Sequence, residues 1–255
     1  VWICFSVGLV SVIGFRMRQK AEKERHAEYQ FHLASAEFDR GAAVCADLDR
    51  AINCGDLPLF QSTLDRVKHE RTSGQIVGLC MDHAASLGRT RQLDYALDHL
   101  FSPARARRWQ DGGLAIAVAH RHADTVRMLL ARNAHPNTER YSVSPLDDVA
   151  GAPAGDRCSL EIARMLLHAG ADVNAPITSR DSPVARIEYF SYTPLMLAAR
   201  AGNADMVKLL LNAHANTAAR NAHGEDAAAV AERCGRPAIA QIIRTAGNGS
   251  GKRAG

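Results

Sequence analysis

The chain of 255 residues carries 31 Lys and Arg against 27 Asp and Glu, a formal net charge of +4, and is 47% hydrophobic but only 5% aromatic. That supports a sizeable core built from Ala, Leu, Val, Ile and Met, which suits closely packed helices. It argues against a strand-built domain, since alternating β-branched runs are sparse, and against a nucleic-acid binder, since no concentrated basic stripe stands apart from the hydrophobic front end.

Val1 to Phe15 (VWICFSVGLVSVIGF) is uncharged and is followed by Arg16, Arg18, Lys20, Lys23 and Arg25. A spanning helix needs roughly 20 apolar residues. The run is shorter, but the chain opens on Val and not Met, so the beginning of the span is expected to be missing. A signal peptide would end in small residues at a cleavage site, whereas this run meets Arg16-Met17-Arg18. A soluble helix would carry a polar face. Residues 1–15 are therefore predicted to be a partial transmembrane anchor. The basic cluster after it predicts that the bulk of the protein lies on the cytoplasmic side. Residues 16–45 read as a charged juxtamembrane helix and cap, with Tyr29, Leu33, Ala36 and Phe38 as its apolar stripe.

From residue 46 the dominant feature is internal repetition. Gly55, Gly88 and Arg121 are 33 residues apart, and Gly202 and Gly235 repeat the interval. Each is predicted to mark a break between two short helices. An apolar column runs through Leu48, Met81, Leu114, Leu146, Leu195 and Ala228, and a small-residue column through Ala51, Ala84, Ala117, Val149, Ala198 and Ala231. Leu64, Leu97, Leu130, Leu167 and Leu211 close the second helices. Six such units bury their faces only against neighbours, as in a solenoid.

The clearest unit, Thr193-Pro194-Leu195-Met196-Leu197-Ala198-Ala199 through Gly202 to Val207 and Leu210-Leu211, resembles the ankyrin repeat. The segment Leu166 to Ala175 (LLHAGADVNA) is similar to that family's repeat end, and Met128 to Asn137 is a divergent copy. The resemblance covers roughly residues 46–244. It implies an all-α ankyrin-repeat solenoid of about six helix-turn-helix units, preceded by the N-terminal membrane and juxtamembrane helix, and a general expectation of protein binding. The repeat domain is predicted over 46–245, with a flexible tail at 246–255 rich in Gly.

Departures from the repeat are specific. Gly112-Gly113 and Asp226-Ala227 stand where a Thr-Pro pair would open the helix, and Ser144-Pro145 nearly keeps it. The family's histidine is replaced by Met196 and Asp147, so its local hydrogen-bond network is expected to be incomplete. Two insertions break the period, one around Gly151 to Asp156 and a longer one at 175–192. The six Cys show no C-x-x-C or zinc spacing and read as reduced thiols.

No nucleophile motif, phosphate loop or metalloprotease motif is present, so no enzyme and no cofactor are expected. His120 and His122 could be taken for a metal pair, but both fall at a helix break and are expected to be exposed turn residues. Binding hot spots favour Trp, Tyr and Arg, and these recur in the inter-repeat segments: Arg105, Arg107, Arg108 and Trp109; Arg140 and Tyr141; Arg180, Arg186, Tyr189, Phe190 and Tyr192; with Arg200 at the concave edge. All of these except Arg107 form the predicted partner-binding set. Because Arg matches carboxylates well, the expected partner is an acidic or mixed-charge protein held near a membrane. A regulatory or inhibitory subunit acting on an enzyme or toxin is the alternative.

Overall fold

The computed structural model describes residues 39–69, 74–99, 102–138, 143–177 and 191–250. Twelve helices form over them: α1 (Asp39–Cys54), α2 (Leu57–His69), α3 (Gly74–Ser86), α4 (Thr90–His99), α5 (Pro103–Ala119), α6 (Ala123–Ala131), α7 (Pro145–Ala150), α8 (Arg157–His168), α9 (Pro194–Ala201), α10 (Ala204–Asn212), α11 (Ala227–Arg233) and α12 (Pro237–Ser250). They fall into six helix-turn-helix pairs with no β-strand among the described residues, as an ankyrin-type array requires. The predicted span at 1–15 lies outside the described residues. No described helix is long and apolar enough to cross a membrane.

The described residues divide into two compact units, one reaching to Ala84 and including residues from Arg91, the other comprising Ala85–Thr90 and the chain from Ser102 onward. In the first unit Leu48, Ala51, Ile52, Phe60, Leu64, Met81, Ala84, Leu93 and Leu97 are buried. Polar groups inside it find partners. The Gln92 side chain donates to the Ala51 carbonyl at 3.0 Å, and the Thr63 hydroxyl donates to the Leu59 carbonyl at 2.8 Å. His83 Nδ1 meets the Asp49 carboxylate at 2.6 Å. These bonds remove the penalty of burying unpaired polar atoms.

In the second unit the first helices of successive pairs (α5, α7, α9, α11) pack one on the next, and the second helices (α6, α8, α10, α12) do the same. Both repeat columns lie in the cores of the two units, from Leu48 to Ala228 and from Ala51 to Ala231. Each buried Leu contributes about 1.5–3 kcal/mol. The third column holds at Leu64 and Leu97, which are buried, and is displaced by one residue in the second unit: Leu130, Leu167 and Leu211 are half-buried, and the preceding Leu129, Leu166 and Leu210 are fully buried. One residue is a 100° step on a helix, enough to move a side chain from the core to its edge.

All five predicted breaks share one conformation. Gly55, Gly88, Arg121, Gly202 and Gly235 have φ of 74°, 67°, 62°, 75° and 71°, the left-handed region in which helices end. The bend then closes identically where the small column supplies the acceptor: His122, Asn203 and Arg236 donate their backbone N–H to the carbonyls of Ala117, Ala198 and Ala231 at 2.9, 3.2 and 2.8 Å. Second helices end the same way, with Asn133, Gly170 and His214 left-handed and Ala134, Ala171 and Ala215 donating to Leu129, Leu166 and Leu210 at 3.0, 2.9 and 3.0 Å.

The structure corrects two sequence expectations. Gly112-Gly113 do not open a helix, because α5 begins at Pro103 and runs through them. Its extra turns are held by buried Ala106 and Gln110, and Gly113 leaves room for the Trp109 ring, which lies 2.6 Å from where a Cβ would stand. Tertiary packing thus overrides the poor helix propensity of glycine. The tail expected from residue 246 is helical as far as Ser250, where Gly247 lies close against Thr217.

Glycine at position 88 answers to a steric demand as well as to φ. His122, which follows the next bend, lies over Gly88, so that a Cβ there would fall 2.5 Å from its Nδ1. At Gly202 the Arg236 side chain occupies the same place, 2.7 Å away. Gly235 has nothing within 4 Å. Gly235→Ala is therefore expected to cost about 1 kcal/mol, from left-handed strain alone, and Gly88→Ala distinctly more. Urea denaturation midpoints of the two variants measure the difference, and equal losses would contradict the packing argument.

Candidate functional site

The helix entrances are built by side-chain caps. Ser144, Thr193 and Asp226 each accept the backbone N–H three residues on, at Asp147, Met196 and Ala229, with distances of 3.1, 3.4 and 2.8 Å. Asp147, standing where the repeat family has histidine, is buried and returns the bond: its carboxylate accepts from the Ser144 N–H at 3.2 Å and the Ser144 hydroxyl at 2.8 Å. At this unit the local network is thus rebuilt as a reciprocal capping box, whereas at Thr193 the cap runs one way only.

The turns between pairs are linked by carboxamides. The Asn137 side chain accepts from the Asp172 N–H at 2.7 Å and donates to the Gly170 carbonyl at 3.1 Å. One repeat later the Asn174 side chain accepts from the Asn216 N–H at 2.7 Å. These links skip over both insertions, which explains how the structural repeat survives the broken sequence period.

Arg121 joins two further pairs. Its guanidinium donates to the Val118 carbonyl at 2.8 Å and the Asp148 carbonyl at 3.2 Å, and lies 3.6 Å from the Asp148 carboxylate and 3.8 Å from that of Asp156. Its own carbonyl accepts the Cys158 thiol at 2.9 Å. Burial pushes the Cys158 thiol up, reinforced by the Asp156 charge. Burial also pushes the Asp156 carboxyl up, but hydrogen bonds from Ser159 and the charge of Arg121 outweigh it and hold the group below the usual carboxylate range. Cys54, Cys80, Cys158 and Cys234 are free thiols.

His122 is not simply an exposed turn residue. Its Nε2 lies 2.8 Å from the Ser86 carbonyl; a carbonyl can only accept, so Nε2 carries the proton. Its ring faces that of His120 at 6.3 Å. Among the described residues no three His, Cys, Asp or Glu gather as a metal site.

Of the predicted partner-binding residues, Arg105, Arg108 and Trp109 share α5, as does Arg107. Arg107 and Arg108 are exposed and Trp109 is half-buried; the side chain of Arg105 lies outside the described residues. Arg200 is half-buried on the last turn of α9, with α7 between it and α5. Arg140, Tyr141, Arg180, Arg186, Tyr189 and Phe190 lie outside the described residues. Tyr192 is corrected: at 2% exposure it is a core residue, and its hydroxyl accepts from Arg233 at 2.7 Å.

Arg233 was not among the predicted residues, although it stands 33 residues after Arg200 in the same column. It binds Glu225 through two nitrogens at 2.7 and 3.2 Å. That hydrogen bonding, against some burial and aided by Asn221, holds the Glu225 carboxyl below its usual range, and the Arg233 guanidinium is correspondingly raised. The long insertion closes on this network. Ile177 donates its N–H to the Tyr192 carbonyl and Ser191 donates to the Ile177 carbonyl, both at 2.9 Å.

Residues 179–231 match the family model described as ankyrin repeats (many copies). The match takes in α9, α10 and part of α11, and supports an ankyrin-repeat protein, a general protein-binding architecture.

Arg121→Gly and Arg121→Ala both remove the guanidinium, but only glycine relieves the left-handed strain, so the alanine variant is expected to be less stable by about 1 kcal/mol. Chemical denaturation checks the margin. The depressed Asp156 carboxyl contributes stability that is complete above the unfolded carboxyl value and is lost as pH falls below about 4. Asp156→Asn is therefore expected to be less stable at neutral pH and to show a shallower loss as pH falls below about 4, measured by thermal melts at successive pH values.

Proposed function

We propose that this chain is a protein-binding array that holds a macromolecular partner at a membrane and performs no chemistry of its own. The observation that carries the reading is the closed base of the long insertion. Two backbone hydrogen bonds bring Ile177 to Ser191 and Tyr192, and Tyr192 is anchored in turn by Arg233. The two ends of the long insertion, Ile177 and Ser191-Tyr192, are therefore held together at the entrance to α9. Arg180, Arg186, Tyr189 and Phe190 fall within that segment, and their types are those that dominate binding energy. A rigid base lowers the ordering cost of presenting such residues. Arg200 lies on the last turn of α9, and Arg140 and Tyr141 fall in the preceding inter-repeat segment of the sequence. The Arg content favours an acidic or mixed-charge protein surface. Membrane attachment rests on the uncharged run at residues 1–15 and the basic cluster behind it.

Replacing Arg180, Arg186 and Tyr189 together is expected to weaken capture of the partner from extracts without lowering the melting temperature; undiminished capture would reject the insertion as the binding element. The full-length protein is expected to pellet with membranes and to stay there through a high-salt wash, and release by salt alone would remove the spanning anchor from the account.

A further inference from the structure

Tyr192 belongs both to the base of the long insertion and to the packing of the last helix pair. Its backbone carbonyl accepts from the Ile177 N–H, and Ser191 beside it donates to the Ile177 carbonyl, both at 2.9 Å. Its ring is buried, and its hydroxyl accepts from Arg233 on α11 at 2.7 Å. One residue thus closes the insertion with its backbone and reaches the last pair with its side chain.

Arg233 is held from the other direction. The turn before α11 is built around Asn221, which is buried. Its side-chain oxygen accepts from the His223 and Glu225 N–H groups at 2.9 and 3.0 Å. Its backbone carbonyl accepts from Gly224 at 2.9 Å, and its side-chain nitrogen donates to the Glu225 carboxylate at 3.0 Å. That carboxylate accepts from Nε and one terminal nitrogen of Arg233 at 2.7 and 3.2 Å, and the same terminal nitrogen donates to Tyr192. A planar guanidinium fixed at two nitrogens points its remaining hydrogens in a set direction. The turn therefore aims the bond that meets the insertion.

The network adds little to the hold of the last pair itself. Arg233 is exposed, and exposed ion pairs contribute little stability. Ala227, Ala228, Val230, Ala231, Ile239 and Ile243 are the buried residues that pack α11 and α12. What the guanidinium supplies is orientation. We propose that Arg233 is a positioning residue for the long insertion: aimed by Glu225 and Asn221, it holds the Tyr192 hydroxyl so that the insertion's base and the 221–225 turn keep one fixed relation. The inference rests on the reading of the insertion as the binding element and names what sets its presentation. Capture of the partner then depends on a residue that need not touch it, because a pre-oriented base lowers the ordering cost of binding.

Backbone hydrogen exchange in the full chain tests the role without knowledge of the partner. Tyr192→Phe keeps the ring and removes only the hydroxyl. It is expected to speed exchange at the Ile177 and Ser191 amides about tenfold or more, as the loss of a hydrogen bond to a charged group implies, with the Val207 amide of α10 unchanged. Arg233→Gln is expected to do the same. Arg233→Lys is expected to fall between it and the parent, since an ammonium keeps the charge beside Glu225 without the fork. Unchanged exchange at Ile177 and Ser191 in Tyr192→Phe would overturn the positioning role, and so would faster exchange spread evenly over α11 and α12, the mark of a residue that only stabilises the last pair. Capture of the partner from extracts separates this inference from the reading it rests on. Faster exchange with weakened capture supports both, whereas faster exchange with undiminished capture leaves Arg233 as the insertion's positioning residue and removes the insertion as the binding element.

Discussion

The left-handed residue at five of the six reversals within helix pairs is the constraint on which the rest of the structure depends. It turns the chain back on itself within one residue, so two short helices lie side by side and present one shared face. In the second unit the N–H that follows it closes on the small-residue column at Ala117, Ala198 and Ala231. The residue after the bend then reaches back over the bend of the preceding repeat, as His122 does at Gly88 and Arg236 at Gly202. Local conformation and repeat-to-repeat packing are thus one interaction, and neither is satisfied by a helix pair alone.

Arg121 shows how the constraint is met without glycine. A side chain in the left-handed region costs roughly 1–2 kcal/mol. Here the same side chain reaches the next pair at Asp148 and Asp156, so links between pairs offset the strain. The insertions are accommodated by a similar economy. Asn137 and Asn174 tie successive turns together, and length can be added between them without disturbing the stack. Length is added in this way in the segment whose ends meet at Ile177 and Tyr192.

Much of this was legible in the sequence because the repeat writes its constraints at fixed spacing. Positions 55, 88, 121, 202 and 235 were identifiable from interval alone, even where Arg121 replaced glycine. Both core columns read correctly from residue size. The start of α5 was not legible: Gly112-Gly113 signal a break locally, and only the Trp109 ring over Gly113 and the burial of Ala106 and Gln110 make them helical. Asp147 in place of histidine looked like a lost hydrogen bond, because its reciprocal bond with Ser144 depends on a conformation that residue type alone does not fix. Tyr192 looked like a binding aromatic because its partner, Arg233, is distant in sequence. Arg233 itself could have been found by extending the Arg200 column one repeat further.

The most direct test is backbone hydrogen exchange at His122, Asn203 and Arg236 in the full-length protein. The account predicts that these three amides are protected to the same degree as amides in the middle of α6 and α10, because each bend is part of the packed stack and opens only with it. Exchange at those three positions at the rate of an unstructured peptide, with the flanking helices still protected, would contradict it.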